Sequence, residues 1–144
     1  MPVSRFLMAL GSGVGALILG AAALPPTIAE SGGLWEVSRS ATGAGAERLC
    51  VPQATVLAQW EHRRGHCTRV VISSTTSEAI IHYTCPAGDF GHSKMKVITP
   101  RTLRIETQGI SGGYPFNYVL HARRVGDCQG QPSTSLRPRL TKKG

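Results

Sequence analysis

Downstream of residue 32 the chain alternates apolar and polar residues in short runs, the period of strands that bury one face. Residues 33–40 set Trp35 and Val37 against Glu36 and Ser38. Residues 47–50 form a short second strand. Residues 68–74 and 79–84, rich in Val, Ile, Thr and Tyr, flank a polar stretch and read as a hairpin. Residues 94–98 turn Met95 and Val97 inward, residues 103–107 do the same with Leu103 and Ile105, and residues 116–123 with Phe116, Tyr118 and Leu120. Gly88 and Gly91 interrupt the pattern, so His92 is placed in a loop. One helix is credible: it opens at Pro52, puts Val56, Leu57 and Trp60 on one face, and ends by Gly65. Short consecutive strands joined by tight turns pair as antiparallel neighbours. The expected fold is mostly β: an antiparallel meander of about seven strands, curled into a partial or full barrel, with the short helix capping an open end.

The first residues have a different character. Arg5 precedes an apolar stretch over residues 6–24, followed by Pro25, Pro26 and the small-x-small site Thr27-Ile28-Ala29. This reads as a cleaved export signal over residues 1–29, with Ala21 to Ala23 as an earlier cut and a retained anchor as the alternative. The 144 residues then leave a single domain over residues 30–128 and a tail over residues 129–144 without apolar periodicity. Four cysteines, Cys50, Cys67, Cys85 and Cys128, follow the signal, an even number without a C-x-x-C knuckle, which favours two disulfides in an oxidising, periplasmic address. If residue numbers across the hairpin sum to 152, Cys67 faces Cys85 at one end of the sheet. Two more hairpins carry the chain to Cys128, where Cys50 arrives if the helix crosses the barrel mouth. The pairing 67–85 with 50–128 is preferred; 50–67 with 85–128 is the rival.

Several landmarks occur together: Gly33-Leu34-Trp35-Glu36-Val37, Cys50 before the helix, Cys67 and Cys85 flanking a hairpin, and Arg123-Arg124-Val125-Gly126-Asp127-Cys128. Their order and spacing resemble the exported bacterial proteins of domain-of-unknown-function family 3617, over residues 33–128. The resemblance implies a small exported β-rich protein and brings no activity and no catalytic residues; the basic tail departs from it.

Chemistry is sparse. Glu61-His62-Arg63-Arg64-Gly65-His66 spaces two histidines by four, but Arg63 stands where a zincin needs its glutamate, and Gly65 breaks the helix. The stretch reads as a surface helix end. His82 and His121 lie in strands and read as neutral, hydrogen-bonded residues. No G-x-S-x-G elbow, phosphate loop or carboxylate pair is present, so neither enzyme, metal nor cofactor is expected. The formal net charge is +8, from 16 Lys and Arg against 8 Asp and Glu. Lys94, Lys96, Arg101 and Arg104 face outward as a candidate basic patch, and Arg137, Arg139, Lys142 and Lys143 crowd the tail. Such charge attracts anionic surfaces without sequence preference, and export makes nucleic acid the wrong partner. The leading expectation is a monomeric, non-enzymatic binding or accessory module with a small apolar ligand in a pocket lined by Trp35, Val37, Met95, Leu103, Ile105, Phe116 and Tyr118. The same residues are also the plain core of a small barrel, which is the preferred reading of them. An envelope-binding basic surface is the rival, and a small hydrolase comes last.

Overall fold

A computed structural model of the protein describes residues 23–129. The segment expected as a signal lies outside the described residues up to residue 22, as does the tail from residue 130. The described chain opens with a single helical turn, α1 (Pro26–Ala29), then runs β1 (Gly33–Ser38), β2 (Glu47–Val51), a 3-10 helix (Ala54–His62), β3 (Thr68–Ser74), β4 (Glu78–Thr84), β5 (Phe90–Thr99), β6 (Thr102–Ser111) and β7 (Tyr114–Gly126).

All seven strands join one antiparallel sheet in the order β2-β1-β7-β6-β5-β4-β3. Strands β3 to β7 form the expected meander. β1 then returns to the far side of β7, and β2 pairs outside it, so β2 and β3 are edges and the sheet does not close. Across the central hairpin Thr68 faces Thr84 and Val71 faces Ile81 before a bulge shifts the register by one. The disulfides are Cys67–Cys85 and Cys50–Cys128, the preferred pairing.

Strands β5, β6 and β7 are longer than the alternation predicted, and in β5 and β6 the extra length includes positions where a side chain would not fit. Gly91 and Gly109 are register partners in β5 and β6. A Cβ on Gly91 would collide with the ring of Tyr83, and one on Gly109 with the Phe90 backbone and the Phe116 ring. The sheet needs glycine there because neighbouring rings fill the space, although glycine in sequence reads as an interruption. His92 therefore lies in β5, not in a loop.

The core forms on one face. The helix is a 3-10 helix with a non-helical backbone at Gln59 (φ −99°, ψ 35°), and it lies across β5 and β6 instead of over an end. Ala54, Leu57, Ala58 and Trp60 pack onto Trp35, Val37, Ile81, Met95, Leu103 and Ile105. Buried polar groups are matched where the two layers meet. The Ser93 hydroxyl donates to the Ala58 carbonyl and lies 2.7 Å from Thr107 Oγ1. The amide of Gln59 donates to the carbonyls of His62 and Gly65 (3.1 and 3.0 Å), and its oxygen accepts from Arg69 of β3. Ile28 of α1 is fully buried in the same core, with Leu24 packed against it.

Candidate functional site

Where the helix ends, Glu61 and His62 reach across the covered face toward the strand termini. Beneath them Tyr83, Gly91, Gly109 and Phe116 form one row across β4 to β7. The two glycines leave a trough that the Tyr83 and Phe116 rings enter from either side. The His62 ring meets both edge-on, with centroids 5.6 Å from Tyr83 and 6.1 Å from Phe116. Its Nδ1 lies 3.1 Å from Tyr83 Oη and its Nε2 3.2 Å from Asp89 Oδ2, while Asp89 Oδ1 accepts from the Gly112 amide. An ionised carboxylate only accepts, so in the neutral imidazole Nε2 carries the proton and Nδ1 accepts from the phenol.

An Asp–His pair ending on a hydroxyl has the layout of an activated nucleophile. Burial decides otherwise. Tyr83 is 0% exposed, and burial, followed by the charges of Glu61 and Asp89, pushes its phenol far above the ordinary value. A nucleophile needs the reverse shift and an open approach. The chain Asp89–His62–Tyr83 is a clasp that fastens the helix end to β4 and to the turn before β5. His62 is thus turned into the structure, not a surface residue, while His66 beyond Gly65 is exposed and does not converge with it. No group of three or more His, Cys, Asp or Glu arranged to hold a metal occurs among the described residues.

Beside the clasp the surface is open. Tyr114, Phe116 and Tyr118 alternate along one face of β7; Tyr114 is 78% exposed and the other two are half-buried. The Tyr118 phenol donates to Glu61 Oε2 at 2.7 Å. Burial first, then that bond to a carboxylate, pushes it far up. The Arg39 guanidinium lies over the Tyr118 ring, 4.0 Å from its centroid. Beyond Arg39 and Glu61, between the β1–β2 loop and the helix, runs a cleft of about 390 Å³ lined by Val37, Arg39, Glu47, Trp60, Glu61 and Arg63 among others. Arg63 stacks over Trp60 with its Cζ 4.6 Å from the ring centroid and donates to Glu47 at 2.8 Å. Of the cleft's charges, Glu47, Glu61 and Arg63 are thus engaged by neighbours. Arg39 has no ion-pair partner among the described residues.

The seven residues expected to line a pocket separate into two sets. Trp35, Val37, Met95, Leu103 and Ile105 are at most 2% exposed and lie in the core under the helix. Of the seven, Phe116 and Tyr118 alone are more than marginally exposed. The four expected patch cations separate as well. Lys94 pairs with Glu78 at 3.2 Å and Arg104 pairs with Glu106, whereas Lys96 and Arg101 have no ion-pair partner among the described residues. Arg101 sits in the β5–β6 turn. A second cleft of about 320 Å³ on this side includes Glu36 and Arg123, which bond to each other at 2.9 Å while Arg48 also holds Glu36. Those charges are satisfied.

A family model described as protein of unknown function (DUF3617) matches residues 28–128. The chain belongs to that family. DUF3617 therefore covers the sheet, the helix and both disulfides, and its matched span begins at the buried Ile28. No curated protein and no solved structure matches the chain. Sequence reading missed Arg39 and the Asp89–His62 contact. The first directly follows β1, within residues read only as a strand, and the second joins residues 27 apart. The one available signal was the alternation of Tyr114, Phe116 and Tyr118.

Proposed function

We propose that this DUF3617 protein is an exported, non-enzymatic binding module whose ligand seat is the cleft between the β1–β2 loop and the end of the 54–62 helix. The observation that carries this reading is Arg39: a cation without an ion-pair partner among the described residues, stacked on a half-buried tyrosine at the border of a cleft of about 390 Å³. Ligand sites combine apolar walls with a few placed polar groups. In this cleft the accessible lining is instead mainly polar, with Val37, Trp60 and Leu120 buried beneath it and Arg39 supplying the charge, which suits a small anionic ligand. Export is supported by the apolar N-terminal run and by the two disulfides, which persist in oxidising compartments. The lack of a reactive group rests on engagement: Asp89 and Glu61 both accept bonds, and the hydroxyl at the end of the histidine chain is sealed in the core. A surface-binding reading through the basic strands is weaker, because two of its four cations are paired with acids.

The fluorescent aromatic sulfonate 8-anilinonaphthalene-1-sulfonate carries the required anionic group and tests the seat. Saturable fluorescence enhancement is expected with the full chain. Arg39→Ala and Tyr118→Ala each weaken it about tenfold, on the scale of a desolvated charge–ring contact. Ile72→Lys on the exposed β3 edge leaves it unchanged. Equal binding by the Arg39→Ala and wild-type proteins ends this assignment.

A further inference from the structure

The face not covered by the helix carries a feature outside the cleft. His82 of β4 and His92 of β5 are direct register partners in an antiparallel pair, which brings their side chains to one face about 5 Å apart at Cβ. Their ring centroids lie 6.4 Å apart with the planes inclined by 51°. Both residues are partly exposed, and neither ring has a hydrogen-bond partner among the described residues. The row runs on in register through Gln108 of β6 and Asn117 of β7, and on the other side to Val70 of β3. It therefore contains no charged residue. Lys94, two positions along β5, is held by Glu78, and Glu106 opposite Lys94 is held by Arg104.

We propose that His82 and His92 form a two-histidine site for a divalent transition-metal ion, with Cu2+ as the preferred occupant. Two imidazoles on one ion, each nitrogen about 2.0–2.1 Å from it, place their centroids roughly 4.5–5.5 Å apart at bond angles near 90–110°. A side-chain rotation that closes about 1–2 Å reaches this from the observed separation, and the backbone register already fixes the rest. The donor set decides the metal class. Two imidazoles, with all four cysteines in disulfides and no carboxylate in the row, suit Cu2+, Ni2+ and Zn2+ and do not suit Ca2+ or Mg2+. The stability order for nitrogen donors puts Cu2+ first. A cleft of about 290 Å³, lined by His92, Lys94, Glu106, Gln108 and Asn117 among others but not by His82, leaves the His92 ring open to approach, and Gln108 and Asn117 place amide oxygens in the same row. Binding exchanges two metal-bound waters for two neutral ring nitrogens, with no redox step.

The test titrates the full chain with Cu2+, Ni2+ and Zn2+ separately, by calorimetry, and records the electron paramagnetic resonance spectrum of the Cu2+ form. The expectation is one tight equivalent, ordered Cu2+ before Ni2+ and Zn2+, with hyperfine structure from two nitrogens. His82→Gln and His92→Gln each weaken Cu2+ binding about tenfold or more, the loss of a second tethered ligand. His66→Gln and His121→Gln leave it unchanged. The spectrum needs no variant, so a misfolded substitution cannot obscure the result. Absence of binding at about a hundred micromolar Cu2+, a one-nitrogen spectrum, or retention of full affinity in either the His82 or the His92 variant overturns the site.

Discussion

Replacing the cysteines in pairs separates what each disulfide does. Cys50 and Cys128 are 78 residues apart, Cys67 and Cys85 only 18. In the chain-entropy model a crosslink stabilises by restricting the unfolded chain, by about 4.5 kcal/mol for the longer loop and about 3.2 kcal/mol for the shorter. The difference, about 1.3 kcal/mol, depends only on the ratio of loop lengths. The folded state adds to it in the same direction. Cys50 lies in β2, a five-residue edge strand, largely exposed and paired only with β1, and the bridge ties it to the chain leaving β7. Cys67 and Cys85 instead close a hairpin that the β3–β4 ladder already holds. Cys50→Ser/Cys128→Ser should therefore lose more stability than Cys67→Ser/Cys85→Ser, by about 1.3 kcal/mol or more. Against a usual total of about 5–15 kcal/mol either loss is large. Urea unfolding under non-reducing conditions measures both, since Trp35 and Trp60 are buried (0% and 5% exposed) and report the core. The denaturant slope should rise in each variant, as a less restrained unfolded chain exposes more surface. An equal or larger cost for the 67–85 pair would show that loop length does not set the contribution of these disulfides.

Other consequences follow from single positions. Gly91→Ala drives a methyl into the ring of Tyr83, and its expected cost of about 1–3 kcal/mol is measured by the same urea assay. Burial holds the phenols of Tyr83 and Tyr118 far above the unfolded value of 10.0. The stability they contribute is complete below that value and is lost as pH rises beyond it; in a spectrophotometric titration their tyrosinate absorbance should emerge only with unfolding. Glu36 behaves oppositely. Hydrogen bonds from Arg123 and then Arg48 hold it below 4.5, so its contribution is present above that value and vanishes as pH falls through the lower folded one. Glu36→Gln should lower Tm at neutral pH, with the gap closing in acid. Ile28 is fully buried, and a signal cut after Ala29 would remove it, at a cost of about 2–5 kcal/mol by analogy with large-to-small core changes. The mature chain should instead begin at Leu24, with 144 − 23 = 121 residues by intact mass; a stably folded protein beginning at Glu30 contradicts this.

The elements legible in the sequence were those in which one buried face imposes a period. The 68–84 hairpin shows this best: alternation located both strands, a simple register sum paired Val71 with Ile81, and the disulfide pattern followed. Alternation identifies an apolar face without saying what covers it. Trp35, Met95 and Ile105 turn inward as expected, yet whether they line a cavity or a core depended on where residues 54–62 would lie, and those residues fill the space. Glycine was misread for a related reason. Gly91 marks the close approach of Tyr83, a tertiary event that looks in sequence like a break. Charge pairing was hidden too, because Lys94 meets Glu78 across the β4–β5 register, which the sequence alone did not set. The site residue Arg39 becomes visible only when β1 is seen beside β7, the pairing that places its guanidinium over Tyr118.

A small ligand seated beside Arg39 in the cleft between the β1–β2 loop and the helix would be carried with the protein through purification. Native mass spectrometry of the protein recovered from the cells that make it, compared with the Arg39→Ala variant prepared identically, tests it most directly. An added organic mass on the wild-type chain is expected, diminished or lost in the variant and distinguishable by its size from a bound metal ion. A bare chain in both samples, or the same adduct at equal occupancy in both, would contradict it.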